Sequence, residues 1–144
     1  MDLLPSKNRL LAACRGDVQD HHPLLQWASQ LSEIHQRLLG TDESSRTEIE
    51  QRRIGLVRDI NQWVAQQLPP SLGCARLHTE SLGTVIDRLA KFTAYAHAAL
   101  TSTAEWELWD AWERLAELAV GYEDLKDEVS TGRRRLPYTK PEIT

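Results

Sequence analysis

Alternating β-branched residues are nearly absent from this chain of 144 residues, so its pattern predicts no strands. Cysteine is scarce as well. Cys14 and Cys74 are too few for a disulfide framework, and neither stands in a CxxC or Cys/His metal spacing. Both read as reduced, buried small hydrophobes. No run approaches the ~20 apolar residues of a membrane span, and Pro5, Lys7, Asn8 and Arg9 interrupt any signal-peptide core among Leu3, Leu4, Leu10 and Leu11. A cytoplasmic location is the resulting expectation. Basic and acidic residues, 17 and 21, leave a formal charge of −4, which gives no general attraction to nucleic acid or anionic lipid. The five histidines form no HxxxH or HExxH pair, and GxSxG, Walker-lysine and dinucleotide fingerprints are missing. Nucleophilic catalysis therefore has no sequence support, and neither a cofactor nor a metal is expected.

What is present is helical periodicity, with glycines and prolines falling mostly between the periodic stretches. A short helix spans about Ser6 to Arg15 and ends near Gly16. The second begins after His22 with Pro23 at its first position and carries Leu24, Trp27, Leu31, Ile34 and Leu38 on one face before Gly40. The third starts at Thr41 or Arg46, shows Ile49, Leu56, Ile60, Trp63 and Val64, and stops at Pro69-Pro70. Gly55 in its interior predicts a close helix approach or a functional gap. Thr79 or Ser81 caps the fourth, whose face is Leu82, Val85, Ile86, Leu89, Phe92 and Ala96. Ser102 and Glu105 form a capping-box pattern for the fifth, which lasts to about Ser130.

Such stripes can be buried only against one another. The expected fold is all-α, an antiparallel bundle of four long helices plus a short N-terminal helix, with one domain over residues 1–132. Residues 133–144 form a basic, proline-containing tail without periodicity, expected to be extended unless it packs on a neighbour.

Four features bear on function. The fifth helix sets nine acids, among them Asp110, Glu113 and Glu117, against Arg114 and Lys126. A solvated face is the leading reading, and a divalent-cation site the lesser one, because such sites draw acids from several helices. The same helix carries Trp106, Trp109 and Trp112; core packing is expected for each indole, and any exposed remainder would be an interface. Arg133, Arg134 and Arg135, followed by Tyr138, could bind phosphate or RNA, or dock on the acidic fifth helix of another chain, with a solvated tail as the plain alternative. His35 lies beside the stripe of the second helix and needs a hydrogen-bond partner, for which Arg46, Arg53 and Asp87 are available; a structural role outweighs a catalytic one.

The stretch Leu31-Ser32-Glu33-Ile34-His35-Gln36-Arg37-Leu38, continuing through Asp42, Glu43 and Arg46, together with Thr79, Glu80, Gly83, Ile86, Asp87, Arg88 and Leu89, resembles the bacterial family catalogued as domain of unknown function 4254. Gln51, Arg53, Ile60 and Trp63 fit its intervening helix, and the resemblance covers about residues 22–100. His35 replaces the family's usual asparagine and Leu39 its tryptophan. Ile54-Gly55 stands where the family tends to have Asn-Asp, and Arg58 where it tends to have an acid. The resemblance implies a helical fold and a shared polar cluster.

Helical spacing independently places Glu80, Asp87 and Lys91 near one another, with Gly83 leaving a gap between the two acids, and Arg88 on an adjoining face. If His35, Arg46 and Arg53 converge there, Arg–carboxylate pairs would set helix register; a ligand site is the alternative. The functional expectation is a non-enzymatic bundle that acts by protein–protein contact as a homo-oligomer, with no membrane or nucleic-acid partner. The alternative is a small-molecule or nucleotide-handling helical enzyme resembling the magnesium-dependent pyrophosphohydrolases, against which the lack of an ExxE motif to pair with an ExxD counts.

Overall fold

In the computed structural model, which describes residues 3–18, 21–101 and 104–137, the chain is all-α. Among the described residues the elements run α1 (Lys7–Cys14), α2 (Pro23–Gly40), α3 (Glu43–Gln67), β1 (Arg76–Leu77), α4 (Leu82–Ala99), α5 (Glu105–Ser130) and β2 (Arg134–Arg135). Local chemistry fixes most of the ends. Ser6 Oγ accepts from Arg9 N at the start of α1, and Ser81 Oγ accepts from Thr84 N at the start of α4. His22 caps α2 through its ring, Nδ1 accepting from Leu24 N, with Pro23 at the first helical position as expected. Asp42 opens α3 without a side-chain cap. The capping box expected at Ser102 is displaced: α5 starts after Ala104, again without a side-chain cap, and Ser102 lies outside the described residues.

The hydrophobic stripes meet in one core, with Leu24, Leu31, Ile60, Ile86 and Leu89 almost fully buried. α4 is central and packs against all four other helices, whereas α5 touches α4, α1 and β2 but, among the described residues, neither α2 nor α3. α1 fills the space between α2 and α5. Its eight residues extend only about 12 Å against about 39 Å for the 26 of α5. They serve the C-terminal half of α5, where the buried Tyr122 hydroxyl donates to Pro5 O at 2.7 Å and Lys7 N to Glu123 Oε2 at 2.7 Å.

Further expectations are corrected. The chain does contain strands, short as they are: β1 and β2 pair in parallel, Arg76 opposite Arg134 and Leu77 opposite Arg135. Gly132, at φ 75°, turns the backbone after α5, and Leu136 is 4 % exposed, so this part of the basic segment folds back onto its own chain. The stretch lacks periodicity because its pairing is with the distant loop before α4, and no local pattern records that. Gly55 makes no close approach, since a Cβ there would meet nothing within 4 Å. Gly83 does: a Cβ would lie 2.6 Å from Asn61 Oδ1 and 2.7 Å from Val57 O. The gap expected at Gly83 is thus filled by α3, whose Asn61 Oδ1 accepts from Gly83 N at 2.8 Å.

Candidate functional site

Three helices meet at Asp87. Its carboxylate faces α2 and α3 from the first half of α4 and is 8 % exposed. His35 Nε2 of α2 lies 2.7 Å from Oδ1, and Arg53 Nη1 of α3 donates to Oδ2 at 2.7 Å. A carboxylate only accepts, so the imidazole carries its proton on Nε2. Arg53 also donates from Nε and Nη2 to Glu50 Oε2, at 3.0 and 2.9 Å. Burial works against the guanidinium charge, yet hydrogen bonds and charge from Glu50 and Asp87 outweigh it and hold the Arg53 pKa above its ordinary value. His35 is therefore the satisfied histidine expected from its place on α2, with Asp87 as partner.

This cluster forms one wall of a cavity of about 260 Å³ whose lining also includes Arg46, Arg88, Lys91 and Tyr95. Four cations face two carboxylates there, Glu50 and Asp87. Of the residues singled out in the sequence, His35, Arg46, Arg53, Asp87 and Arg88 come together, while Glu80 and Glu43 do not line the cavity. Glu80 precedes the cap of α4, so helical spacing does not carry it toward Asp87; it accepts from Arg88 Nη1 at 2.7 Å instead. Glu43 is exposed at the first position of α3. Glu50 and Asn61 were missed. Their signal was available: Glu50 stands three residues before Arg53, and Asn61 is a polar residue next to the buried Ile60.

A second candidate lies on α5. Trp106, Trp109 and Trp112 are 69 %, 67 % and 41 % exposed, which overturns the expectation that each indole packs in the core. The core side of α5 belongs to Leu115, Ala119, Tyr122, Leu125 and Val129, and the indoles fall beside it, on the solvent side of the helix. Trp109, Trp112, Ala116 and Val120, all exposed, continue one stripe at helical spacing. Ala116 and Val120 were missed, although that spacing gives them away. Among the described residues no group of three His, Cys, Asp or Glu could hold a metal, and Asp110, Glu113 and Glu117 are exposed, as the solvated-face reading expects. Asp110 pairs with Arg114 at 3.0 Å.

The basic segment divides by role. Arg134 Nε pairs with Glu128 Oε2 at 3.1 Å, and Arg133 Nε donates to Thr131 Oγ1 at 2.8 Å. Arg135 is exposed while its carbonyl accepts from His78 N at 2.7 Å. Tyr138 lies outside the described residues. Cys74 is exposed, contrary to expectation, and Cys14 is buried in agreement with it.

Fold and site together define an all-α bundle whose three central helices are joined by a polar cluster. The chain belongs to the family described as protein of unknown function (DUF4254), whose model matches residues 43–138. The match takes in the Thr79–Leu89 run and, beyond the resemblance seen in the sequence, all of α5; it does not include the Leu31–Leu38 stretch of α2. No curated protein and no solved structure matches the chain.

Proposed function

We propose that the protein is a non-enzymatic, self-associating bundle of the bacterial or phage cytoplasm, in which the N-terminal half of α5 docks on the β1–β2 patch of a second copy. The observation that carries this reading is the uncovered indole face of α5. The three indoles present roughly 400 Å² of accessible surface, about half of the ~800 Å² that a stable interface takes from each partner. Ala116, Val120 and the half-exposed Leu100 extend it.

Charge complementarity supports a second copy as the occupant. Glu105, Glu107, Asp110 and Glu113 surround the indoles, so two such faces would repel each other. At the opposite end of α5 the exposed Arg76, Arg133 and Arg135 flank Leu72 and Leu77, which are 55 % and 50 % exposed. An apolar patch with a basic rim fits an aromatic patch with an acidic rim, and arginine over indole adds a cation–π contribution. Head-to-tail contact of this kind closes into a ring or runs on as a filament. The exposed Cys74 thiol fits a reducing compartment, and no described helix is long and apolar enough to cross a membrane.

Light scattering across a concentration series tests the proposal. The wild type should exceed the monomer mass. Trp106→Ala with Trp109→Ala, and Arg133→Glu with Arg135→Glu, should each reduce it, and combining the latter pair with Glu105→Lys and Glu113→Lys should restore part of the loss. A wild type that stays monomeric at every concentration sinks the reading. Removal of residues 133–144 is a poor test, because it deletes β2 and uncovers the site of Leu136.

A further inference from the structure

The cavity between α2, α3 and α4 holds more positive charge than its own fold uses. Asp87 is satisfied by His35 and Arg53, Glu50 by Arg53, and Glu80 by Arg88. Among the described residues two cationic groups remain without a carboxylate, and a third keeps a spare donor. Arg46 Nη1 reaches only the carbonyl of Leu38, at 3.3 Å, and meets no carboxylate. Lys91 Nζ sits 5.5 Å from the centre of the Tyr95 ring and meets no carboxylate either. Arg88 has its Nη1 on Glu80, but its Nε is buried without a hydrogen-bond partner. Neighbouring cations repel one another, and a chain of net charge −4 gives no general reason to gather them in one concavity.

The geometry points to a binding site for a small phosphate monoester. Surplus charge arriving from two helices, Arg46 on α3 and Lys91 on α4, together with the spare Nε donor of Arg88, suits a compact dianion with acceptor oxygens on several sides better than a planar monoanionic carboxylate. The volume of about 260 Å³ is below the ~300–1,000 Å³ of ordinary ligand pockets and selects a small molecule. Leu39 and Tyr95, 51 % and 43 % exposed, give the rim an apolar side against which a short organic group can lie. The Asp87–His35–Arg53 cluster, as one wall of the cavity, ties together the three helices that carry these groups.

Calorimetric titration of the full chain with phenyl phosphate, inorganic phosphate and benzoate, at one ionic strength set with sodium chloride, tests the assignment. Phenyl phosphate should bind one per chain and tighter than inorganic phosphate, and benzoate should bind at least tenfold more weakly. Lys91→Gln and Arg46→Gln should each weaken phenyl phosphate by tenfold or more while leaving the urea midpoint in place, since neither side chain is buried. Arg133→Glu with Arg135→Glu, on the distant basic patch, should leave it unchanged. Absence of saturable binding by both phosphates overturns the proposal. So does benzoate binding equal to that of phenyl phosphate, or undiminished binding in the Lys91 and Arg46 variants.

Discussion

Asp87 accepts hydrogen bonds from His35 and Arg53 at 2.7 Å each, so one carboxylate of α4 pins both α2 and α3. Each contact spans a long stretch of chain, 52 and 34 residues, which is why the cluster sets helix register rather than local structure. Asp87→Asn should destabilise the fold by about 2–3 kcal/mol, below the full penalty for breaking a buried ion pair because Arg53 keeps Glu50 and some contact with water. Urea unfolding measures it. In a double-mutant cycle, adding Arg53→Met should cost much less than the sum of the two changes, as the second removes the cation that the first strands.

The two glycines of the α3–α4 pair should respond in opposite directions. Gly83→Ala drives a Cβ against Val57 O, a backbone atom that cannot swing aside, and should cost about 1–3 kcal/mol. Gly55→Ala meets open space within a helix and should stabilise by about 0.5–1 kcal/mol. Thermal melts of the two variants decide the matter; destabilisation by Gly55→Ala would mean that α3 is crowded at this position.

The clamp between α5 and the N-terminal segment should titrate at both extremes of pH. Burial opposes the charge of Glu123, but Lys126 and the amide of Lys7 outweigh it and hold its pKa below the ordinary 4.5. Its contribution is present above 4.5 and is lost as pH falls through the lowered value. Glu123 in turn raises the pKa of Lys126 above 10.5, so that contribution is present below 10.5 and is lost as pH rises through the raised value. Glu123→Gln should flatten both limbs of the stability–pH curve from urea midpoints; an unchanged acid limb would remove Glu123 from the account.

The two thiols should be chemically distinct. Burial pushes the Cys14 pKa from 9.0 up to about 12, despite a hydrogen bond with Thr93 and the nearby charge of Arg15, whereas Cys74 is exposed. One thiol per chain should react with an aromatic disulfide reagent at neutral pH and the second only on unfolding. Fast reaction of both would show that the contact of α1 with α2 opens readily.

The sequence by itself determined the helices and most of their ends, because a 3.6-residue stripe and a capping serine act within one or two turns. Leu24, Leu31, Ile60, Ile86 and Leu89 could be assigned to the core, and Thr79 or Ser81 to the cap of α4, without knowing which helix touched which. It also supplied His35, Arg53 and Asp87 as residues in need of partners. Tertiary structure alone decided the partners. Gly83 and Gly55 look alike in the sequence, and only the approach of α3 to α4 separates them. The indoles of α5 have helical spacing suited to a core, and they are exposed because Leu115, Ala119, Tyr122, Leu125 and Val129 take the core side of that helix. Glu80 turned to Arg88 because it stands before the helix whose spacing seemed to place it beside Asp87. The pairing of β1 with β2 joins segments far apart in the chain, and contacts of that range are fixed by which surfaces remain once the stripes are buried.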